Sequence, residues 1–581
     1  MRFSDHCKFG FAAYLFLIFA ASGGMATDVT PVPPQASEPG IPVTNQLVVQ
    51  KCGGCHKQDE NGSMTRISWV RTTPEGWEEV IKRMVRLNGV SLTPPEAKEI
   101  LHYLATDHGL APEEAKPVIW FAEHRIVDEN VPEPAKEVCN ACHAFGKPAS
   151  WRRSKEEWEL LYKMHIGYFP SSEMTSFRRE PPPPGAPPPA PGADQRQPFE
   201  KAIAYLQETY PLYTPEWAAF SPTMQRGKAT GRWLVTAYKP GEGSYYGEMT
   251  AEATADPDIL ATRTKLVSAT SGAVMTRTGR ATIYQGYAWR GRSEDKKAPN
   301  DPQGAATVRE VMMLSRDQSQ AEGRWMWGDY QEFGFEVRMY RAKPGITVLG
   351  VDTPMLRSGE THTVHIFGEG FSSNIKPADI DLGEGVTVQR ISQVTPARLG
   401  VEVAIAKTAK PGRRDISIDG TLLPSAVVVY DHIDFIKVSP DTGLSRLGSE
   451  HHPKGYVQFE AIAYLNGPDG KANTPDDIEL GPVRAKWGMQ EFYSIFSDDD
   501  VKYVGSLNSE TGLFTPNRDG PNPERRFSRN NYGDVWVEAE VDKDLPPPKV
   551  AGDKQKPLTA RSYLIVTVPL YLRYDQPEVA P

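Results

Sequence analysis

A chain of 581 residues is too long for one hydrophobic core, so several domains are expected. Hydrophobic residues make up 39% and charged residues 24%, the balance of a globular protein, and a net charge of −9 argues against a nucleic-acid partner. The 51 prolines and 49 glycines favour frequent turns and therefore short strands.

Residues 1–26 read as an export signal. Arg2 and Lys8 give a weakly basic start, Phe9 to Ala21 is an apolar run, and Gly24-Met25-Ala26 offers a cleavage site. An uncleaved anchor is the competing reading, but the run is short for a bilayer span. No later stretch is long and apolar enough to cross a membrane, so the expected mature protein begins near Thr27 without stable membrane insertion. Cys7 leaves with the signal. The four remaining cysteines all fall in two copies of one motif, Cys52-Gly53-Gly54-Cys55-His56 and Cys139-Asn140-Ala141-Cys142-His143, which leaves none for a disulfide.

C-x-x-C-H is the attachment signature of c-type haem. Two thiols bond the porphyrin, and the adjacent histidine lies under the iron as proximal ligand. A lone C-x-x-C would suit a redox dithiol or half a zinc site. The histidine after each pair, the second copy and the export signal all favour haem. Cys52, Cys55, Cys139 and Cys142 are thus read as thioether links, and His56 and His143 as iron ligands.

An internal repeat points to the other axial ligands. Trp77, Val80, Ile81 and Met84 follow the first motif at i, i+3, i+4, i+7, and Trp158, Leu161, Tyr162 and His165 follow the second at the same spacing. Ala97, Ile100, Leu101 and Leu104 then match Phe199, Ala202, Ile203 and Leu206. Each unit reads as motif helix, tryptophan-led helix and closing helix. Met84 and His165 share one position in the repeat, and both residue types ligate haem iron. They are the expected distal ligands, with Met64, Met164, His102 and His108 as competitors and Met174 as another candidate in the second unit. Methionine ligation raises a haem potential relative to histidine, so electrons should run from the His165 haem to the Met84 haem unless burial or charge reverses the order. Within the second unit, Pro181 to Pro191 predicts an extended polyproline loop.

From about residue 211 the chain becomes β-rich. Residues 229–342, with Gly231-Arg232-Trp233 echoed by Gly323-Arg324-Trp325, predict a barrel or sandwich with Arg–Trp stacking at its end. Residues 345–430, with the alternation Thr361-His362-Thr363-Val364-His365-Ile366, predict an immunoglobulin-like sandwich. Residues 431–581 predict another sandwich, whose last strand surrounds Ser562 to Val568. The loop from Asn466 to Asp477 is rich in oxygen donors but lacks the EF-hand spacing, and reads as an acidic turn. His451 and His452 read as surface residues.

The expected architecture is a signal peptide (1–26), an α-helical di-haem cytochrome c domain (27–210, repeats at about 40–110 and 130–210), a β-barrel-like domain (211–343), an immunoglobulin-like β-sandwich (344–430) and a C-terminal β-sandwich (431–581). This order, with the paired haem motifs and the Met84/His165 difference, resembles the large (α) subunit of quinohaemoprotein amine dehydrogenase over essentially the whole mature chain. The resemblance implies a periplasmic heterotrimer that oxidises primary amines to aldehydes and ammonia. It implies a β-propeller subunit, a small subunit bearing cysteine tryptophylquinone, two covalently bound haem c groups on this chain, and a blue copper protein or small cytochrome c as acceptor. No mature cysteine here is left to build that quinone, which agrees. Two further readings stand beside it. One is a di-haem carrier serving another periplasmic oxidoreductase. The other is a di-haem peroxidase, which needs a displaceable sixth ligand.

Overall fold

In the computed structural model of the protein, which describes residues 38–118, 131–140, 143–179, 183–225, 227–493, 498–542 and 556–569, two helical units of one design come first. The first holds α1 (Gln46–Cys52), strand β1 (Val70–Thr72), α2 (Pro74–Asn88), α3 (Pro94–Asp107) and the short α4 (Pro112–Ala115). The second holds α5 (Ala135–Cys139), α6 (Gly146–Ala149), β2 (Trp151–Arg153), α7 (Lys155–Tyr168) and α8 (Pro198–Thr209), and α9 (Pro215–Phe220) leads out of it. The expected export signal and Cys142 lie outside the described residues.

The units repeat in their contacts as well as in sequence. Thr73 and Ser154 cap α2 and α7, accepting from the amides of Gly76 and Glu157, which the first helical turn cannot pair. Trp77 and Trp158 are buried in α2 and α7, and their indole N–H groups donate to the carbonyls of His108 (2.9 Å) and Tyr210 (3.0 Å). Those carbonyls lie just past α3 and α8, and they also accept from the amides of Thr72 and Arg153. One carbonyl in each unit therefore fixes strand, tryptophan-led helix and closing helix together. The proline-rich insertion before α8 is exposed over 183–192 and bends at Gly185 and Gly192, both with positive φ, so it is not one continuous polyproline rod.

β1 and β2 pair antiparallel, with Arg71 opposite Arg152. These arginines are counterparts in the repeat, so the units face each other across a local pseudo-two-fold axis. Beside that axis Arg71 grips the buried carboxylate of Glu114 through two hydrogen bonds (2.7 and 3.0 Å), and Arg152 lies 3.2 Å from the same group. The amide of Ala111 and the hydroxyl of Thr214 also donate to Glu114.

Eight strands follow, from Gly231–Lys239 to Phe333–Arg341, and the last pairs with the first to close a barrel. A barrel of eight strands leaves an interior that side chains can fill. Trp233, Trp289 and Trp325 are fully buried in its core. The expected stacking of each arginine with its neighbouring tryptophan is not what forms. Successive strand residues point to opposite faces, so Arg232 turns outward to Glu248 and Glu369, and Arg341 covers Trp233 instead. Two four-stranded sheets then form a sandwich over 347–430, with Val364 and Ile366 in its core. Phe367 of this sandwich stacks on Tyr246 of the barrel. A last β domain over 435–567 packs around Phe459, Phe514, Val537 and Leu564.

The barrel anchors the helical units. Glu75, in the first turn of α2, is buried against Arg290 and Arg309 of the barrel, and Tyr287 donates to the carbonyl of Leu110. Burial alone would raise the Glu75 carboxyl, but the two guanidinium groups outweigh it and hold the group at about 2. A depressed folded value stabilises the protein above the ordinary carboxylate range, and that contribution is lost as pH falls towards 2. Glu75→Gln should cost roughly 3 kcal/mol at neutral pH. In denaturant titrations the gap between variant and wild type should narrow steadily below about pH 4.5. A gap independent of pH would show that the Glu75 charge does not hold the junction.

Candidate haem centre

The second helical unit encloses a cavity of about 530 Å³, within the usual range for bound small molecules. Cys139 closes α5, His143 follows it, and His165 comes from α7; all three line this cavity. Trp158, Leu161, Phe177, Phe199 and Leu206 supply apolar wall, and Leu87, Tyr168 and Phe169 line it where they are exposed to solvent. A thiol, two imidazoles and apolar walls around one space are the donor set of a covalently attached haem. The residues present fit that group.

Hydrogen bonds set the state of each histidine. The Nδ1–H of His56 donates to the carbonyl of Thr65 (2.8 Å), that of His143 to Ala144 (3.0 Å) and that of His165 to Leu161 (2.9 Å). A carbonyl only accepts, so Nδ1 carries the proton and Nε2 keeps the lone pair that a metal takes. Burial also lowers the pKa of His165, which favours the neutral ring. The thiols are shifted too. Burial raises Cys52 and pushes Cys139 up to about 12, the wrong direction for a dithiol that exchanges through its thiolate.

In the first unit, Cys52 ends α1 and borders the same core as Val80, Ile81 and Leu101, while Cys55 is exposed and His56 half-buried. Met84 is half-buried on α2, one turn beyond Val80. Met64 is fully buried in the core, where a side chain on Gly53 would approach its methyl at 4.0 Å. His108 is enclosed by Trp77 and Tyr103, and burial holds it at about 4. His102 faces the barrel, 3.6 Å from Asp258. Met164 lines the second cavity with His165, whereas Met174 is 87% exposed.

Residues 43–181 match the family described as quinohemoprotein amine dehydrogenase A, alpha subunit, haem binding, and residues 226–342, 346–431 and 436–579 match alpha subunit domains II, III and IV. The chain belongs to the quinohaemoprotein amine dehydrogenase alpha-subunit family. Among curated proteins none matches. Solved structures with similar parts include a redesigned beta barrel (15% identity, 20% of this chain and 92% of that one, TM-score 0.17) and a chimeric titin Z1Z2 (12% identity, 39% and 98%, TM-score 0.15), likenesses too slight to carry an argument. The family accounts for a haem-binding helical region followed by three β domains, within an amine-oxidising oxidoreductase of several subunits. No helix among the described residues is long and apolar enough to cross a membrane.

Sequence reasoning missed the cations of the cavity wall, Arg83, Arg86, Lys147 and Arg153. It also missed Arg71, Arg152 and Glu114. Their signal was present: an arginine stands two residues before each cap, at Arg71 and Arg152. The donors of the 466–477 loop are used internally, Asp476 accepting from Thr474 and from the amide of Asp469. An acidic triplet, Asp498 to Asp500, is ion-paired with Arg525 and Arg529.

Met84 and His165 stand at matched places on α2 and α7, seven residues beyond Trp77 and Trp158. Met84→Ala should abolish the far-red sulfur-to-iron band of the oxidised protein, and His165→Ala should leave it in place. An unchanged band in Met84→Ala would move the assignment to Met64 or Met174.

Proposed function

We propose that this chain is the electron-transfer subunit of a periplasmic quinohaemoprotein amine dehydrogenase and carries two covalently attached c haems. The convergence of Cys139, His143 and His165 on one apolar cavity, inside a duplicated fold, is the observation that carries the reading. The first site is assigned by the repeat: Cys52, Cys55 and His56 with Met84, as Cys139, Cys142 and His143 go with His165. When bound, the haems supply one-electron iron couples. The chain's own residues hold and tune them. Cysteine sulfurs tether, carbonyls of Thr65, Ala144 and Leu161 orient imidazoles, and apolar walls exclude water from the iron.

Oxidation of a primary amine to aldehyde and ammonia releases two electrons, and two one-electron sites on one chain match that count. The chemistry that takes those electrons from the amine belongs on another subunit. All four cysteines outside the expected signal are committed to haem, so none remains for a thioether-linked quinone. A small subunit bearing cysteine tryptophylquinone and a β-propeller subunit are the partners implied, with a blue copper protein or small cytochrome c as acceptor. Two stably ligated sites count against the peroxidase alternative, which needs an exchangeable position.

Anaerobic mixing of the purified chain with a primary amine tests the division of labour. Haem absorbance should stay oxidised with the chain alone and become reduced once the quinone-bearing subunit is added. Prompt reduction with no other polypeptide present would place an amine site in this chain and overturn the reading.

A further inference from the structure

Helix α2 belongs to the first unit, yet it serves both. Trp77, Val80 and Ile81 join the continuous apolar core that runs through both units, where α2 packs on α3 of its own unit, with Met84 at i+7 from Trp77. On another face, Glu79, Arg83, Arg86 and Leu87, at i, i+4, i+7 and i+8, line the cavity of the second unit. The helix is a partition between the two sites. Arg83 and Met84 are adjacent in sequence and about 100° apart around the helix, and Arg83 lines the second unit's cavity while Met84 does not.

The cavity wall where α2 meets the second unit is cationic, with Arg83 and Arg86 from α2 and Lys147 and Arg153 from the second unit. Lys147 is paired with Glu79 at 2.7 Å, and Arg153 is held by Glu157 and the rings of Trp151 and Trp158. Arg83 differs: it is half-buried at the cavity, and the carboxylate that acts on it, Glu79 one turn back, lies beyond ion-pair distance and is paired with Lys147. A cation partly withdrawn from water without a direct ion pair is costly, which makes its place on a cofactor cavity informative. A haem brings two propionate carboxylates, and arginine is suited to carboxylates by its planar fork of donors.

Resting on the two-haem reading, we propose that Arg83 forms a carboxylate-binding subsite for the haem of the second unit, supplied across the unit boundary by the helix that carries the first unit's distal ligand. A fixed positive charge there favours the reduced state and raises that haem's potential. It opposes the lowering expected from histidine ligation at His165, so the two potentials draw together. The same helix thus sets both sites: Met84 by ligation and Arg83 by charge.

Spectroelectrochemical titration of the purified holoprotein tests this, with the haems distinguished by the far-red sulfur-to-iron band. Arg83→Gln should make reduction of the haem lacking that band about tenfold less favourable, about 59 mV for one electron, and leave the other haem in place. Arg83→Lys should retain most of the wild-type value. Arg263→Gln, on the exposed outer face of the barrel, should change neither. If Arg83→Gln fails to accumulate, Arg83→Met carries the same expectation. Two titration steps that stay put in the Arg83 variants, that shift equally, or that shift as much with lysine as with glutamine would overturn the subsite alone. A wild-type titration whose absorbance change accounts for only one haem per chain would overturn the two-haem reading and the subsite with it.

Discussion

The arrangement of the helical region depends on one buried carboxylate. Glu114 receives Arg71 from the first unit and lies against Arg152 from the second, at the point where β1 and β2 cross-pair. Two buried guanidinium groups side by side would repel strongly in a poorly polarisable interior. The carboxylate between them turns that repulsion into a link, and its other lone pairs are occupied by Ala111 and Thr214. Burial would raise the Glu114 pKa, but hydrogen bonds and charge from Arg71, with charge from Arg152, lower it overall. Buried ion pairs seldom add much net stability, but they penalise every arrangement that separates the partners. Here the arrangement they specify is the relative placement of the two units.

That placement has a functional consequence. Because the units meet around this link, α2 of the first unit contributes both to the apolar core shared by the units and to the wall of the second unit's cavity. On the proposed two-haem reading, electron transfer between the sites needs a short, fixed separation, and a single shared helix would provide one without a mobile linker. The barrel then holds α2 from its other end through Glu75, Arg290 and Arg309. The β domains are therefore part of how the helical region keeps its geometry.

Much of this was legible in the chain. The C-x-x-C-H motifs, the tryptophan spacing and the match between α3 and α8 rest on short-range periodicity, and periodicity survives folding. Trp77 and Trp158 proved to be equivalent down to the carbonyl each one binds. The alternation over 361–366 likewise became a strand with Val364 and Ile366 inside. What stayed hidden depends on long-range contact. Arg83 is an unremarkable member of a helix until the second unit is placed beside it, and Glu114 lies 43 residues from Arg71. Arg232 and Arg324 sit next to tryptophans in sequence but on the opposite face of their strands, so adjacency misled where alternation governed.

In the proposed function both helical units hold a covalently attached haem. Intact mass of the purified protein after denaturation tests it most directly, because thioether bonds survive unfolding while axial ligation does not. The expected mass is that of a chain beginning near Thr27 plus two haems, with no haem removed by acid–acetone extraction. A mass corresponding to one haem or none, or haem released by that extraction, would contradict it.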